Sequence, residues 1–121
     1  MSWAVDFYKD VNGDAPVERF LDGPTAKQRA KLIGLIEMLK EYGIALPFPY
    51  SSQVKGQIRE LRTQQGKTRL RILYFADVNR EFQLLHGVVK DTQKLEQSDI
   101  NIAEENMADH NQRLKKSKKK E

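Results

Sequence analysis

Glu60, Arg62, Arg69, Arg71, His86 and Lys90 are side chains that can move a proton or grip a phosphate, and they fall within three short apolar runs. In "TRLRILYF", residues 68–75, strand alternation sends Arg69, Arg71, Leu73 and Phe75 to one face and Leu70, Ile72 and Tyr74 to the other. In "IRELR", residues 58–62, Ile58, Glu60 and Arg62 share a face opposite Arg59 and Leu61. In "EFQLLHGVVK", residues 81–90, Phe82, Leu84, His86, Val88 and Lys90 oppose Gln83, Leu85, Gly87 and Val89. One choice of faces gathers Glu60, Arg62, Arg69, Arg71, His86 and Lys90, with Lys94 just past the last run in reach; a one-residue slip would scatter them. Crowded cations repel unless an anion lies among them, and Glu60 neutralises only one. A phosphate backbone suits the remainder, because arginine donates to phosphate as a two-pronged fork. Phe75 and Phe82 beside such a cluster would stack on unpaired bases.

Each residue also has a plainer use. Arg69 and Arg71 can form a solvated ladder with Glu60, and Glu60 can serve only as their ion-pair partner. His86 in "LLHG" can be a hydrogen-bonded core histidine, and Lys90 and Lys94 can be surface lysines.

The elements that must position these residues follow from periodicity. "SWAVDFYKD" alternates Trp3, Val5 and Phe7 and predicts a first strand. Pro16 opens a short helix over "PVERFLDG", and Thr25 caps a longer one over "AKQRAKLIGLIEMLKEYG". The apolar stripe of the second helix is Leu32, Leu35, Ile36, Leu39 and Tyr42, and Gly43 stands at its C-terminal cap. "IALPFPYSSQVKG" reads as a loop because of Pro47 and Pro49. Three strands joined by "QQGK" and "DVNR" form an antiparallel meander. Ser98 caps a last helix carrying Ile100, Ala103 and Met107. The expected fold is α+β, a small, mostly antiparallel sheet with helices packed on one face and the other face left open. Residues 1–112 form the single domain, and 113–121 are a basic, disordered tail.

Bulk properties narrow the function further. A chain of 121 residues builds one core. With no cysteine and two distant histidines, His86 and His110, disulfides and thiolate metal sites are excluded and no metal cluster is suggested. No signal sequence or membrane-length apolar run is present, so a cytoplasmic protein with no membrane partner is expected. The formal charge of +4 is unevenly spread. Residues 55–94 hold nine Lys/Arg against four Asp/Glu, whereas residues 95–112 hold five acids and no Lys or Arg. The segment bearing the candidate residues is therefore basic in its own right.

"IRELR", "TRLRILYF" and "LLHGVVKDTQK", followed by a helix containing "AEENMADH", resemble the RelE/ParE toxin superfamily and are similar to its HigB-like, phage-related branch. That branch typically shows an E-L-R strand, a Y-R-I-x-Y strand and a strand end L-H-G-F-x-K-K-T-x-K. The resemblance runs from the first strand to the last helix and omits the basic tail. It implies a RelE-like fold and the toxin of a type II toxin–antitoxin pair that cuts messenger RNA on the ribosome. It also implies no metal or other cofactor, and a cognate antitoxin, a helix-turn-helix protein encoded next to it. By position, Arg62 and Arg71 match the arginines of the first two motifs, and His86, Lys90 and Lys94 match the third. The chain departs from the run at Val88, where an aromatic is usual, at Asp91, where a second lysine is usual, and at Leu95, where a proline is common.

Such cleavage attacks phosphorus with the neighbouring 2′-OH and expels the 5′-oxygen, leaving a 2′,3′-cyclic phosphate. It needs a base, an acid and cations around the crowded charge. Arg62 and Arg71 are expected to stabilise the phosphorane and Arg69 to position the backbone. His86 is a candidate acid or base, since histidine titrates near neutral pH. Glu60 is a weaker candidate base, and Lys90 or Lys94 can hold the phosphate or donate a proton. Two alternatives share the fold. One is a nucleic-acid-binding or interaction module without chemistry, favoured by Asp91. The other is a gyrase-directed toxin that acts through its last helix.

Overall fold

Alternating apolar side chains build the sheet at the centre of the computed structural model, which describes residues 2–91 and 94–119. Among the described residues the strands are β1 (Val5–Phe7), β2 (Ser51–Lys55), β3 (Ile58–Gln65), β4 (Thr68–Ala76) and β5 (Phe82–Lys90), in spatial order β1-β5-β4-β3-β2. β2 through β5 form an antiparallel meander, and β1 lies parallel to β5. The α+β architecture expected from periodicity is present and is consistent with a small RelE-like fold. The meander gains a fourth strand, β2, in a segment whose prolines predict a loop. Pro47 and Pro49 precede that strand rather than interrupt it, and β2 pairs only with β3 at the sheet edge.

Two helices cover one face. α1 (Pro16–Phe20) starts with proline at its first turn. α2 (Ala26–Tyr42) opens with a capping box: Thr25 Oγ1 accepts from the Gln28 amide at 3.2 Å, and the Gln28 side chain accepts from the Thr25 amide at 3.1 Å. Leu32, Leu35, Ile36 and Leu39 of α2 are buried against Leu61, Leu70, Ile72, Tyr74, Phe82 and Leu84 of the sheet. Tyr42, expected on that stripe, is half exposed. Gly43 follows with φ +55, and a Cβ there would run into the Trp3 indole.

The third helix corrects the expectation of helices on one face only. α3 (Gln97–Lys119) packs on the opposite face, where Ala103 and Met107 join Ile58, Leu73, Phe75, Leu85 and Val88 in a second core. The physical reason is that the strands carry large apolar residues on both faces, so each face needs a cover. α3 also continues through residues 113–119, where a disordered tail was expected. Lysine and arginine are good helix formers, and cations are favoured at the negative end of the helix dipole. Arg113 fastens this stretch by donating to Asp109 Oδ2 at 2.8 Å and to the Lys9 carbonyl. Lys120 and Glu121 lie outside the described residues. Among the described residues no helix is long and apolar enough to cross a membrane.

Candidate functional site

Strand register decides which side chains meet. Arg62 of β3 lies directly opposite Arg71 of β4, and Glu60 opposite Leu73. On the other side of β4, Leu73 faces His86, Arg71 faces Val88 and Arg69 faces Lys90 on β5. Since cross-strand partners point the same way, Glu60, Arg62, Arg69, Arg71, His86 and Lys90 share the α3 side of the sheet.

Within that group Glu60 sits between two guanidiniums. It is 6% exposed and Arg71 7%, so both charges are buried. Glu60 Oε1 is 3.1 Å from Arg62 Nε, and Oε2 is 3.8 Å from Arg71 Nη1. Neither contact is a well-aligned hydrogen bond, and among the described residues Oε2 has no hydrogen-bond partner. Burial pushes the Glu60 carboxyl up, Arg71 and then Arg62 pull it down, and the net displacement is upward. The result is a carboxylate with a free lone pair and a greater appetite for a proton than an exposed glutamate has.

The β5 side is governed by α3. His86 Nε2 is 2.9 Å from Asp99 Oδ1, and Lys90 Nζ is 3.0 Å from Asp99 Oδ2 and 2.9 Å from Glu96 Oε1. Burial pushes Asp99 up, but the hydrogen bonds from His86 and Lys90 outweigh it and hold the carboxyl below its ordinary value. Lys90 is pushed up, chiefly by its bond to Glu96. The surface is thus an interlocked network of both signs rather than a bare positive patch. Glu96 and Asp99 were missed as site residues; the available signal was two acids three apart at the start of a helix, where the macrodipole favours them.

The two phenylalanines expected to stack on bases are not available for it. Phe82 is 2% exposed in the α1–α2 core, its ring 5.5 Å from Trp3 and 5.7 Å from Tyr74. The cause is a β-bulge. Leu73 pairs with His86 but Tyr74 with Leu84, so Leu85 is an extra residue that turns Phe82 and Leu84 to the other face. Phe75 stays on the α3 face but is also 2% exposed, beneath the helix with its ring nearly perpendicular to that of His110. Val88 is buried in the second core, while Asp91 and Lys94 are exposed. Thr92 and Gln93 of the "DTQK" run lie outside the described residues.

Two open clefts meet at Arg62 and Arg71. One, of about 290 Å³, is lined by Phe48, Tyr50, Gln64 and Arg69 besides those two arginines. The other, of about 330 Å³, is lined by Ser52 and Glu60 and by Leu95 and Ile100 beside the start of α3. Phe48 and Tyr50 escaped the sequence reading because the prolines around them predict only a loop. Among the described residues no three His, Cys, Asp or Glu side chains converge on a point where a metal ion could be held.

A comparison with curated proteins finds no match. A family model for phage-derived Gp49-like proteins (DUF891) matches residues 19–108, which include strands β2 to β5 and both clefts. The match covers most of the sequence, so the chain belongs to the Gp49-like family of phage-derived proteins, a family associated with toxin–antitoxin systems.

Proposed function

We propose that the chain is the toxin of a type II toxin–antitoxin pair, within the HigB-like branch of the RelE/ParE superfamily, and that it cuts messenger RNA on the ribosome. The observation that carries this reading is the cross-strand pair Arg62 and Arg71 with the buried Glu60 between them. Two forks on adjacent strands match the two non-bridging oxygens of a phosphodiester and the extra charge of a pentacoordinate phosphorus. With Arg69, His86 and Lys90 on the same face, they supply the charge neutralisation for which other nucleases use a metal ion.

The environments support one division of the protonation roles. Glu60, displaced upward and bordering a cleft, takes the proton of the 2′-OH as the 2′-oxygen bonds to phosphorus. His86, oriented by Asp99, gives a proton to the 5′-oxygen as the P–O5′ bond breaks. The products are a 2′,3′-cyclic phosphate and a 5′-hydroxyl. Lys90, displaced upward, keeps its charge and holds the phosphate instead of donating. Arg69 and the exposed Lys94 guide the backbone on either side.

Inducible expression tests the reading. Growth should stop, new message ends should accumulate inside translated frames, and co-expression of the neighbouring helix-turn-helix protein should restore growth. Unimpaired growth with intact messages contradicts it. A second reading, an RNA-binding module without chemistry, is favoured by the Asp99 and Glu96 contacts that already occupy His86 and Lys90. It predicts captured messages without new ends.

A further inference from the structure

Phe48 is 69% exposed and Tyr50 42%, on the segment that leads into the edge strand β2. Leaving large rings in water forgoes the burial that stabilises the rest of the chain, so two in one cleft need an occupant. Both line the 290 Å³ cleft whose remaining wall includes Arg62, Arg69 and Arg71. The Arg62 guanidinium lies over the Phe48 ring, 4.8 Å from its centroid, while its Nε contacts Glu60. Arg62 is therefore fixed between a ring and a carboxylate, which sets the plane of the whole stack.

An apolar aromatic wall beside a cationic wall fits a ligand with a flat π-face attached to a negative group. The volume, near the lower limit of the roughly 300–1,000 Å³ usual for small-molecule sites, suits one nucleobase better than a folded partner. The geometry points to a stacking subsite for one unpaired base of single-stranded RNA: the base lies against Tyr50 and the Phe48–Arg62 stack, with its phosphate directed to Arg69 and Arg71. This inference rests on the reading of the sheet face as an RNA surface and adds where the substrate is gripped. It replaces the base-stacking role that burial denies to Phe75 and Phe82.

The test uses the full chain and a short 2′-O-methyl oligoribonucleotide, which cannot be cut, with 2-aminopurine at successive positions. It is offered free and bound to ribosomes. One position should show quenched fluorescence with the wild-type chain. Phe48→Ala should abolish that quenching and weaken binding about 5- to 100-fold, whereas Phe48→Tyr should restore it. Tyr50→Ala should weaken binding in the same direction. Because Phe48 is exposed, melting of Phe48→Ala should match the wild type, which separates lost stacking from lost fold. If the RNA binds and Phe48→Ala quenches as well as the wild type, the subsite is wrong while the RNA surface stands. If the wild-type chain binds neither form of the RNA, the subsite and the RNA reading both fall. If Phe48→Ala spares RNA but loses the neighbouring helix-turn-helix protein, the cleft is a protein-docking site and the subsite is overturned.

Discussion

Arg71 stands opposite Arg62 on one side and Val88 on the other, 7% exposed, with the Glu60 carboxylate 3.8 Å away. If it serves the charge that develops at phosphorus, Arg71→Ala should slow cleavage on the order of a hundredfold while affinity for uncut RNA changes far less. Single-turnover cleavage and equilibrium binding of the same message separate the two; equal losses in both would mean that Arg71 only binds. The same variant tests Glu60. Burial has already displaced this carboxyl upward, and removal of Arg71 takes away the stronger of the two cationic influences that oppose it. A carboxyl whose folded pKa is raised contributes stability below its unfolded value and loses it as pH rises through the folded value. The melting temperature of Arg71→Ala should therefore fall further below the wild type at pH 8 than at pH 4. A pH-independent gap would show that Arg71 does not govern the titration of Glu60. At this scale the sequence was informative about which residues share a face within each strand, and one choice of faces gathered Glu60, Arg62, Arg69, Arg71, His86 and Lys90; the register that realises that choice comes from the pairing of the strands. It was silent about the acids that hold His86 and Lys90, because helix periodicity does not reveal which face of a sheet a helix will cover.

Strand β5 carries the device that most altered the expected arrangement. The bulge at Leu85 lets His86, Val88 and Lys90 face α3 while Phe82 and Leu84 face α1 and α2. A single extra residue barely alters composition or run length, so neither reveals it; β2 was hidden for a related reason, behind two prolines that only precede it. Downstream of the bulge, Gly87 points at α1, and a Cβ there would fall on the Phe20 ring. Gly87→Ala should cost about 1–3 kcal/mol and lower the melting temperature by several degrees, with His86 and Lys90 disturbed on the same strand. An unchanged melting curve would mean that α1 is free to retreat. The C-terminal half of α3 is tied to the β4–β5 turn through Asp77 and His110. The Asp77 Oδ1 accepts from the backbone amides of Asn79 and Glu81 at 2.9 and 3.1 Å, and its Oδ2 accepts from Gln83 Nε2 at 3.3 Å and lies 3.0 Å from His110 Nε2. Burial pushes Asp77 up, but these bonds, led by His110, hold it below the ordinary aspartate value. A carboxyl with a lowered folded pKa contributes stability above its unfolded value, about 3.9, and loses it as pH falls through the folded value. Asp77→Asn should thus destabilise by about 1–3 kcal/mol at pH 7, and the deficit should shrink as pH drops below about 4. A deficit that stays constant down to pH 2 would assign the loss to packing instead.

Across the whole molecule, charge is segregated along the chain and recombined in space. Strands β3, β4 and β5, drawn from the basic segment, form the sheet face, and the acidic first part of α3 with Glu96 before it lies over the β5 side. The charge blocks were plain in the sequence, but their meeting was not, since it depends on the side of the sheet that α3 takes. Towards the end of the helix Lys115 and Lys116 are exposed at the surface. A chain ending at Lys115 should melt like the full protein, yet its RNA affinity should fall less steeply with salt. The log–log slope should shrink by about 0.7 for each phosphate that the shortened helix no longer neutralises. An unchanged slope would remove the end of α3 from the RNA surface. The most direct measurement joins sheet face to chemistry. A ribosome-bound message is cut by the purified protein, its new ends are analysed, and the cut is repeated with a single 2′-deoxynucleotide at the cleavage position. The account predicts a 2′,3′-cyclic phosphate on one fragment, a 5′-hydroxyl on the other, and no cleavage at the deoxy position. Cleavage that survives the deoxy substitution, or a 5′-phosphate end, would contradict it.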